Sequence, residues 1–115
     1  MIDLGDYTLM PGLIDAHVHL FLHPGAEDLQ TVQESVPQRT LAAVLAARDD
    51  LMAGFTAERD MGTEGAGYGD VGIRQAIEGG YIPGPRLFVS TLAISSTGGY
   101  PLEDYAPEQI GRAHV

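Results

Sequence analysis

The sequence has no cysteine, no tryptophan and no lysine among its 115 residues. Without cysteine the chain has neither a disulfide framework nor thiolate metal ligands, so its redox environment stays open. Six arginines stand against sixteen aspartates and glutamates, which gives a formal net charge of −10. This excess of negative charge argues against nucleic acid and anionic membranes as partners, since both bind basic surfaces.

No signal peptide and no transmembrane run can be read from the sequence. Residues 1–10 lead so directly into the first recognisable motif that we expect the natural chain to begin earlier. The compartment, cytoplasmic or exported, therefore stays open.

The most informative stretch is MPGLIDAHVHL at residues 10–20. Side chains two apart on a strand share a face, so Asp15, His17 and His19 are predicted to point to one side. Two neutral imidazoles on one face form part of a site for a divalent metal such as zinc. Asp15 would be a further ligand or a partner that orients one imidazole. The alternative is two ordinary histidines at a strand end.

Two more segments are similar to strand motifs of a known superfamily, and they follow the first motif in the same order as in that superfamily. GFTAERDMG at residues 54–62 is similar to the second-strand segment GxTTxRDxG, and IPGPRL at residues 82–87 is similar to the entry into a third strand. Together with the first motif they resemble the amidohydrolase superfamily, in its imidazolonepropionase-like and dipeptidase-like branch. The resemblance covers roughly residues 9–100.

The resemblance implies an α/β fold, because these metal-dependent hydrolases are built on a (β/α)8 barrel. A whole barrel needs about 250 residues, so we expect only its first two or three βα units, at residues 11–109. Residues 1–10 would be the end of a flanking β-sandwich. Residues 110–115, IGRAHV, resemble a translated sequencing adapter, and we expect them to be non-native.

The implied function is hydrolysis of C–N bonds in amides, cyclic amides or small peptides through a metal-activated water. His17 and His19 would hold a divalent metal, zinc being the expected one, with one or two ions in the complete protein. The other ligands, including any bridging lysine, and the acid/base aspartate would lie on later strands. We therefore expect no catalytic residue in this fragment and no activity from it alone, while the complete protein could be an oligomer.

Three further residues are candidates for contact with substrate or with a ligating side chain. Asp60 ends the second strand beside Arg59, where it would orient substrate or a histidine, or form a structural ion pair. Tyr100 follows a Thr-Gly-Gly triplet after which this branch often has histidine; tyrosine is a poor zinc ligand, so contact with substrate is the expected role. His23 lies in the loop after the first strand, as a substrate contact or a solvated side chain.

The pattern of apolar residues predicts a β-α-β-α-β order with parallel strands. Ser35 is a plausible N-cap and Gly54 a C-terminal stop for the first predicted helix. The predicted core stripe of that helix runs through Leu41, Val44, Leu45, Met52 and Phe55. The predicted elements are strand 13–20, a polar loop 21–36, helix 37–53, strand 55–60, helix 71–78 and strand 86–94, after two short lead-in strands within residues 1–10.

The competing interpretation is a small non-enzymatic α/β module. In that case His17 and His19 would be structural or would bind metal only weakly. An enzyme of the implied class would instead take a small amide or peptide as its substrate.

Overall fold

A computed structural model describes residues 1–25 and 27–94 of the chain. Three strands form one parallel sheet in the order β1-β2-β3, and helices connect successive strands, as parallel pairing requires. The predicted mixed α/β class is confirmed, and the sheet is compatible with the first units of a barrel. The elements are β1 (Leu13–Val18), α1 (Glu27–Gln33), α2 (Val36–Ala53), β2 (Phe55–Asp60), α3 (Gly69–Glu78) and β3 (Arg86–Val89).

Strand β1 contains an irregularity that decides which side chains share a face. Asp15 pairs with Glu58 and Val18 pairs with Asp60, so β1 advances three residues where β2 advances two. One extra residue reverses the alternation of side chains. Asp15 therefore shares the face of Glu58 and Asp60, whereas His17 belongs to the opposite face. The prediction that Asp15 points the same way as the two histidines was wrong for this reason.

Helix α2 begins and ends where the sequence predicted. Ser35 Oγ accepts the Gln38 N–H at 3.3 Å, which satisfies one of the free donors of the first turn. At the other end, Gly54 adopts φ 107°, a left-handed conformation open to glycine, and its N–H bonds to the carbonyls of Asp50 and Leu51.

The buried face of α2 differs from the predicted one. Ala43 and Ala47 are fully buried, while Leu41, Leu45 and Met52 remain 53–79% exposed. Small side chains let the helix axis approach the sheet closely, so they form the contact even though larger apolar residues are present. Val44 packs against the core as predicted. The prediction was wrong for Leu41, Leu45 and Met52, because hydrophobicity was weighed without side-chain size.

The core lies between the helices and one face of the sheet. Its buried apolar residues are Leu20, Phe21, Ala43, Ala47, Ala66, Ile73 and Leu87. On the opposite face Ile14 is 74% exposed and Phe88 is 57% exposed. Among the described residues the sheet is thus covered on one side only.

The ends of several elements depart from the predictions. The stretch predicted as a loop contains the short helix α1, and β1 and β3 end at Val18 and Val89, before the predicted ends. Residues 1–12 contain no strand, although the predicted turn at Gly5 and Asp6 forms, closed by Tyr7 N–H to Leu4 C=O at 3.2 Å. A strand needs a neighbour for its hydrogen bonds, and no described segment pairs with this one.

No helix in residues 1–25 and 27–94 is both long and apolar enough to cross a membrane.

Candidate metal site

The two histidines meet just beyond the carboxyl end of β1. Their Nε2 atoms lie 3.2 Å apart, and the ring centroids are separated by 5.2 Å with the planes inclined at 65°. Val18 between them faces the core side, so both imidazoles project to the other side. The sequence prediction that His17 and His19 converge is confirmed by this geometry.

The neighbours of His19 determine which of its ring nitrogens carries a hydrogen. His19 Nδ1 lies 2.9 Å from the carbonyl oxygen of Gly62, in the segment after β2. A carbonyl only accepts hydrogen bonds, so Nδ1 carries the hydrogen and Nε2 of the neutral ring presents a lone pair. The carboxylate of Glu64, 3.5 Å from the same Nδ1, favours the same proton position.

The separation of the Nε2 atoms fits a shared metal ion. Two nitrogens bound to one zinc at about 2.0–2.1 Å in a tetrahedral arrangement lie about 3.3–3.4 Å apart. The observed 3.2 Å between His17 and His19 is close to that value. Within the described residues, no group of three or more histidine, aspartate and glutamate side chains could hold a metal. A metal ion held between these two rings would therefore need ligands beyond them.

Asp60 fixes the backbone around His19 without touching its ring. The carboxylate is fully buried; it accepts the Leu20 N–H at 3.2 Å and the Gly62 N–H at 2.8 Å. Burial raises the pKa of Asp60 to about 6, although the two backbone hydrogen bonds act to lower it. Asp60 thereby joins the segments that follow β1 and β2.

Arg59 makes no ion pair with Asp60 among the described residues. Adjacent residues on a strand point to opposite faces, and Arg59 Nε instead donates to the Ala16 carbonyl at 2.8 Å. The guanidinium is thus placed on the open face, beside β1. The alternative in which Asp60 forms a structural ion pair with Arg59 is wrong.

Sequence reasoning missed Arg39. This side chain is fully buried in the first turns of α2, where Nε donates to the Phe21 carbonyl at 3.0 Å and Nη2 donates to the Thr63 carbonyl at 2.8 Å. The sequence did contain a signal that Arg39 is buried, because Arg39 lies one turn before Ala43 and two turns before Ala47. The two alanines mark the close-packed face of the helix, and Arg39 lies on that face.

Asp15 belongs to an acidic group on the core side of the sheet. Its Oδ1 accepts the His17 backbone N–H at 2.9 Å, and among the described residues it makes no hydrogen bond to either imidazole. Opposite it, Glu58 is only 1% exposed. Burial raises the pKa of Glu58 to about 7, with further contributions from Asp50, Asp15 and Asp60.

His23 is held in the loop after β1 by hydrogen bonds to Glu34 and Gln30. Its Nε2 lies 2.8 Å from Glu34 Oε1, an interaction that raises the pKa of the imidazole. The Gln30 side chain accepts the His23 N–H at 2.9 Å and donates to its carbonyl at 2.6 Å. The described structure thus gives His23 a role in ordering the loop. The remaining candidate, Tyr100, lies outside the described residues.

Comparison with known proteins places this geometry in context. The model of the amidohydrolase family matches residues 8–113. Among solved structures, a Xaa-Pro dipeptidase with bound methionine in its active site is 30% identical, with a TM-score of 0.63. A prolidase complexed with N-methylphosphonate-L-proline is 35% identical, with a TM-score of 0.65, and a putative prolidase from Bifidobacterium longum is 34% identical, with a TM-score of 0.55. A search of curated proteins returned no match.

The matches cover most of this chain and a small part of the others. They include 78%, 79% and 81% of the chain, but only 22%, 21% and 19% of the three structures, in the same order. The chain therefore spans about a fifth of the length of the solved structures to which it is similar.

Proposed function

The chain belongs to the amidohydrolase family, and on that premise we propose that it forms part of a metal-dependent hydrolase of amide or small-peptide bonds. The observation that carries the proposal is the convergence of His17 Nε2 and His19 Nε2 at 3.2 Å. Zinc is the proposed metal, because neutral imidazoles suit it and the spacing fits a tetrahedral ion.

Each residue has a defined task in this proposal. His17 and His19 hold the metal, and the Gly62 carbonyl keeps the hydrogen of His19 on Nδ1 so that Nε2 stays free to bind. Asp60 accepts the Gly62 N–H and so helps to fix the residue whose carbonyl contacts His19. Once bound, a divalent metal would lower the pKa of a coordinated water and polarise the carbonyl of the scissile bond.

The position of the pair agrees with this role. In parallel α/β sheets and barrels, catalytic groups gather beyond the carboxyl ends of the strands. His19 follows β1, Gly62 follows β2, and Thr91 follows β3, and the Thr63 N–H bonds to the Thr91 carbonyl at 3.0 Å. The three segments thus form one connected rim at which a substrate would meet the metal.

We propose a dipeptide with C-terminal proline as the substrate class to test first. The support is the similarity to a Xaa-Pro dipeptidase and to a prolidase complexed with N-methylphosphonate-L-proline, each at 30% identity or above. Because the chain spans about a fifth of those structures, the proposal concerns the complete protein. The 115-residue chain supplies two ligands, and by itself we expect it to be inactive.

The metal role can be tested on the chain itself. Titration calorimetry with zinc should show one ion bound per chain, and His17→Asn or His19→Asn should weaken binding at least about tenfold. His23→Asn is the matched control, because His23 pairs with Glu34 outside the site, and it should leave zinc affinity unchanged. Equal zinc affinity in all four proteins would contradict the proposal.

The activity requires the complete reading frame that contains this chain. Proline release from a Xaa-Pro dipeptide should stop after metal removal by a chelator, return on addition of zinc, and disappear in the His19→Asn protein. If the complete protein showed no metal-dependent hydrolysis while the chain folded normally, a small non-enzymatic α/β module would be the better description. Proline release by the 115-residue chain alone would contradict the expected inactivity of the fragment.

A further inference from the structure

Two buried charged side chains bind four peptide groups in the segments that follow β1 and β2. Asp60 accepts the N–H groups of Leu20 and Gly62, at 3.2 and 2.8 Å. Arg39 donates to the carbonyls of Phe21 and Thr63, at 3.0 and 2.8 Å. Each charged group therefore binds one peptide in the segment after β1 and one in the segment after β2.

The charges match the peptide groups that they contact. The carboxylate takes two N–H donors and the guanidinium takes two carbonyl acceptors, so neither segment can shift without breaking a charge-assisted hydrogen bond. Both Arg39 and Asp60 are fully buried, where such bonds are strong and where their loss leaves a polar group without compensation.

The location of Arg39 on α2 is not explained by the helix itself. A positive charge in the first turns lies near the positive end of the helix dipole, which disfavours it. Burial of a guanidinium adds a desolvation cost that an apolar side chain in the same space would avoid. The carbonyls of Phe21 and Thr63, which accept hydrogen bonds from the guanidinium, help to compensate these costs.

We propose that Arg39 is a positioning residue for the metal ligands. It holds the Thr63 carbonyl, and this fixes the preceding residue, Gly62, whose own carbonyl lies 2.9 Å from His19 Nδ1. Through that contact Arg39 keeps the hydrogen of His19 on Nδ1 and its Nε2 turned toward His17. The inference rests on the proposed metal-binding function of the two histidines and adds a residue outside the family motifs at residues 54–62 and 10–20.

Arginine is required here because two carbonyls must be reached at once. The planar guanidinium presents Nε and Nη2 in fixed, different directions, whereas a lysine ammonium is a compact point charge on a flexible stem. Arg39→Lys should therefore keep the charge and one of the two hydrogen bonds. Arg39→Met keeps much of the packing volume and loses both.

The test reads the imidazole tautomer directly, with and without zinc. In the metal-free 115-residue chain, nitrogen-15 NMR of the histidine rings should show His19 as a single Nδ1–H tautomer. Arg39→Met should mix the two tautomers of His19 and weaken zinc affinity about tenfold. Arg39→Lys should give an intermediate result.

Arg48→Met is the matched control. Arg48 lies on the same helix, is 52% exposed and pairs with Asp49, so its loss changes the net charge equally without touching either segment. It should leave both the His19 tautomer and zinc affinity unchanged. If Arg39→Met does not fold, the His19 tautomer and the zinc affinity of Arg39→Lys decide the question. A folded Arg39 variant that keeps a single His19 tautomer and the zinc affinity of the unmodified chain would overturn the proposal.

The two proposals fail separately. If the unmodified chain binds no zinc, the proposed function fails, while the tautomer comparison between Arg39→Met and Arg48→Met still decides the role of Arg39. If zinc binds and the tautomer of His19 does not respond to Arg39, the positioning role alone is overturned.

Discussion

The backbone of Gly62 is central to the site at the scale of single residues. Its φ of 142° lies where side chains other than glycine are rarely found, and its carbonyl contacts His19 Nδ1. A methyl group there would meet nothing closer than the Thr91 carbonyl at 3.8 Å. Substitution therefore acts through the backbone conformation and not through crowding.

Gly62→Ala should weaken zinc binding by about 10- to 100-fold, because the carbonyl that fixes His19 would turn away. The strain should also reduce the free energy of unfolding by about 1–3 kcal/mol. Gly80→Ala is the control: its φ is 75°, with open space around it, so it carries strain far from the metal site. Titration calorimetry should show lower zinc affinity for Gly62→Ala only, and equal affinities would refute the assignment.

Glu58 predicts a dependence of stability on pH. Burial raises its pKa from 4.5 to about 7, so the folded chain binds a proton that the unfolded chain releases. Its contribution to stability is therefore fully present below about pH 4.5 and is lost as pH rises through 7. Glu58→Gln keeps the neutral form at every pH and should flatten this part of the profile.

Urea unfolding at pH 5, 6, 7 and 8 measures the effect of Glu58. The unmodified chain should lose stability relative to Glu58→Gln across this range. Subtracting the two profiles removes the contribution of groups such as His23, whose pKa is set by contacts other than Glu58. Glu78→Gln, a 68% exposed position on α3, should follow the unmodified chain. Parallel profiles for the unmodified chain and Glu58→Gln would show that the carboxyl is not protonated in the fold.

Sequence reasoning identified the two imidazoles but not the residues that orient them. His17 and His19 could be found because spacing along one strand determines their proximity. Arg39 and Gly62 act on His19 from other elements, through hydrogen bonds that exist only after folding. The bulge that moves Asp15 to the other face depends likewise on the pairing of β1 with β2.

At the scale of elements, helix α3 holds two glycines in very different surroundings. Gly72 is exposed, and a methyl group there would meet nothing within 4 Å, whereas one at Gly69 would lie 2.6 Å from Phe21 Cζ. Gly72→Ala should stabilise the chain by about 0.5–1 kcal/mol through helix propensity. Gly69→Ala should destabilise it, because the buried Phe21 ring would have to move.

Urea denaturation of the two alanine variants separates propensity from packing. The midpoint should rise for Gly72→Ala and fall for Gly69→Ala, with unchanged slopes. A loss of stability in Gly72→Ala would mean that α3 is not helical at that position in solution.

The elements were predictable to the extent that their signals are local. Ser35 and Gly54 gave the ends of α2 correctly, since capping depends on residues next to the helix. Its buried face could not be assigned from apolar pattern, because the distance between helix and sheet selects Ala43 and Ala47 over Leu41. The two strands predicted within residues 1–10 are not formed. Strand formation depends on a pairing partner, which the segment alone does not reveal.

At the scale of the whole molecule, two opposing properties govern association. Ile14 and Phe88 are exposed on the open face of the sheet. Leu92 and Ile94 are exposed in the segment that follows β3. Exposed apolar side chains promote association between molecules. A net charge of −10 opposes it by repulsion, which salt screens.

We therefore expect the 115-residue chain to be monomeric at low ionic strength and to associate as salt is added. The screening length falls from about 30 Å at 0.01 M salt to about 3 Å at 1 M, so repulsion fades while apolar attraction remains. Phe88→Asn should raise the salt concentration at which association begins, because it removes apolar area from the open face. Tyr81→Asn, at an 86% exposed position outside the sheet, should leave it unchanged. Sedimentation velocity over this salt range measures the effect, and equal onset for Phe88→Asn and the unmodified chain would show that association does not use the open face.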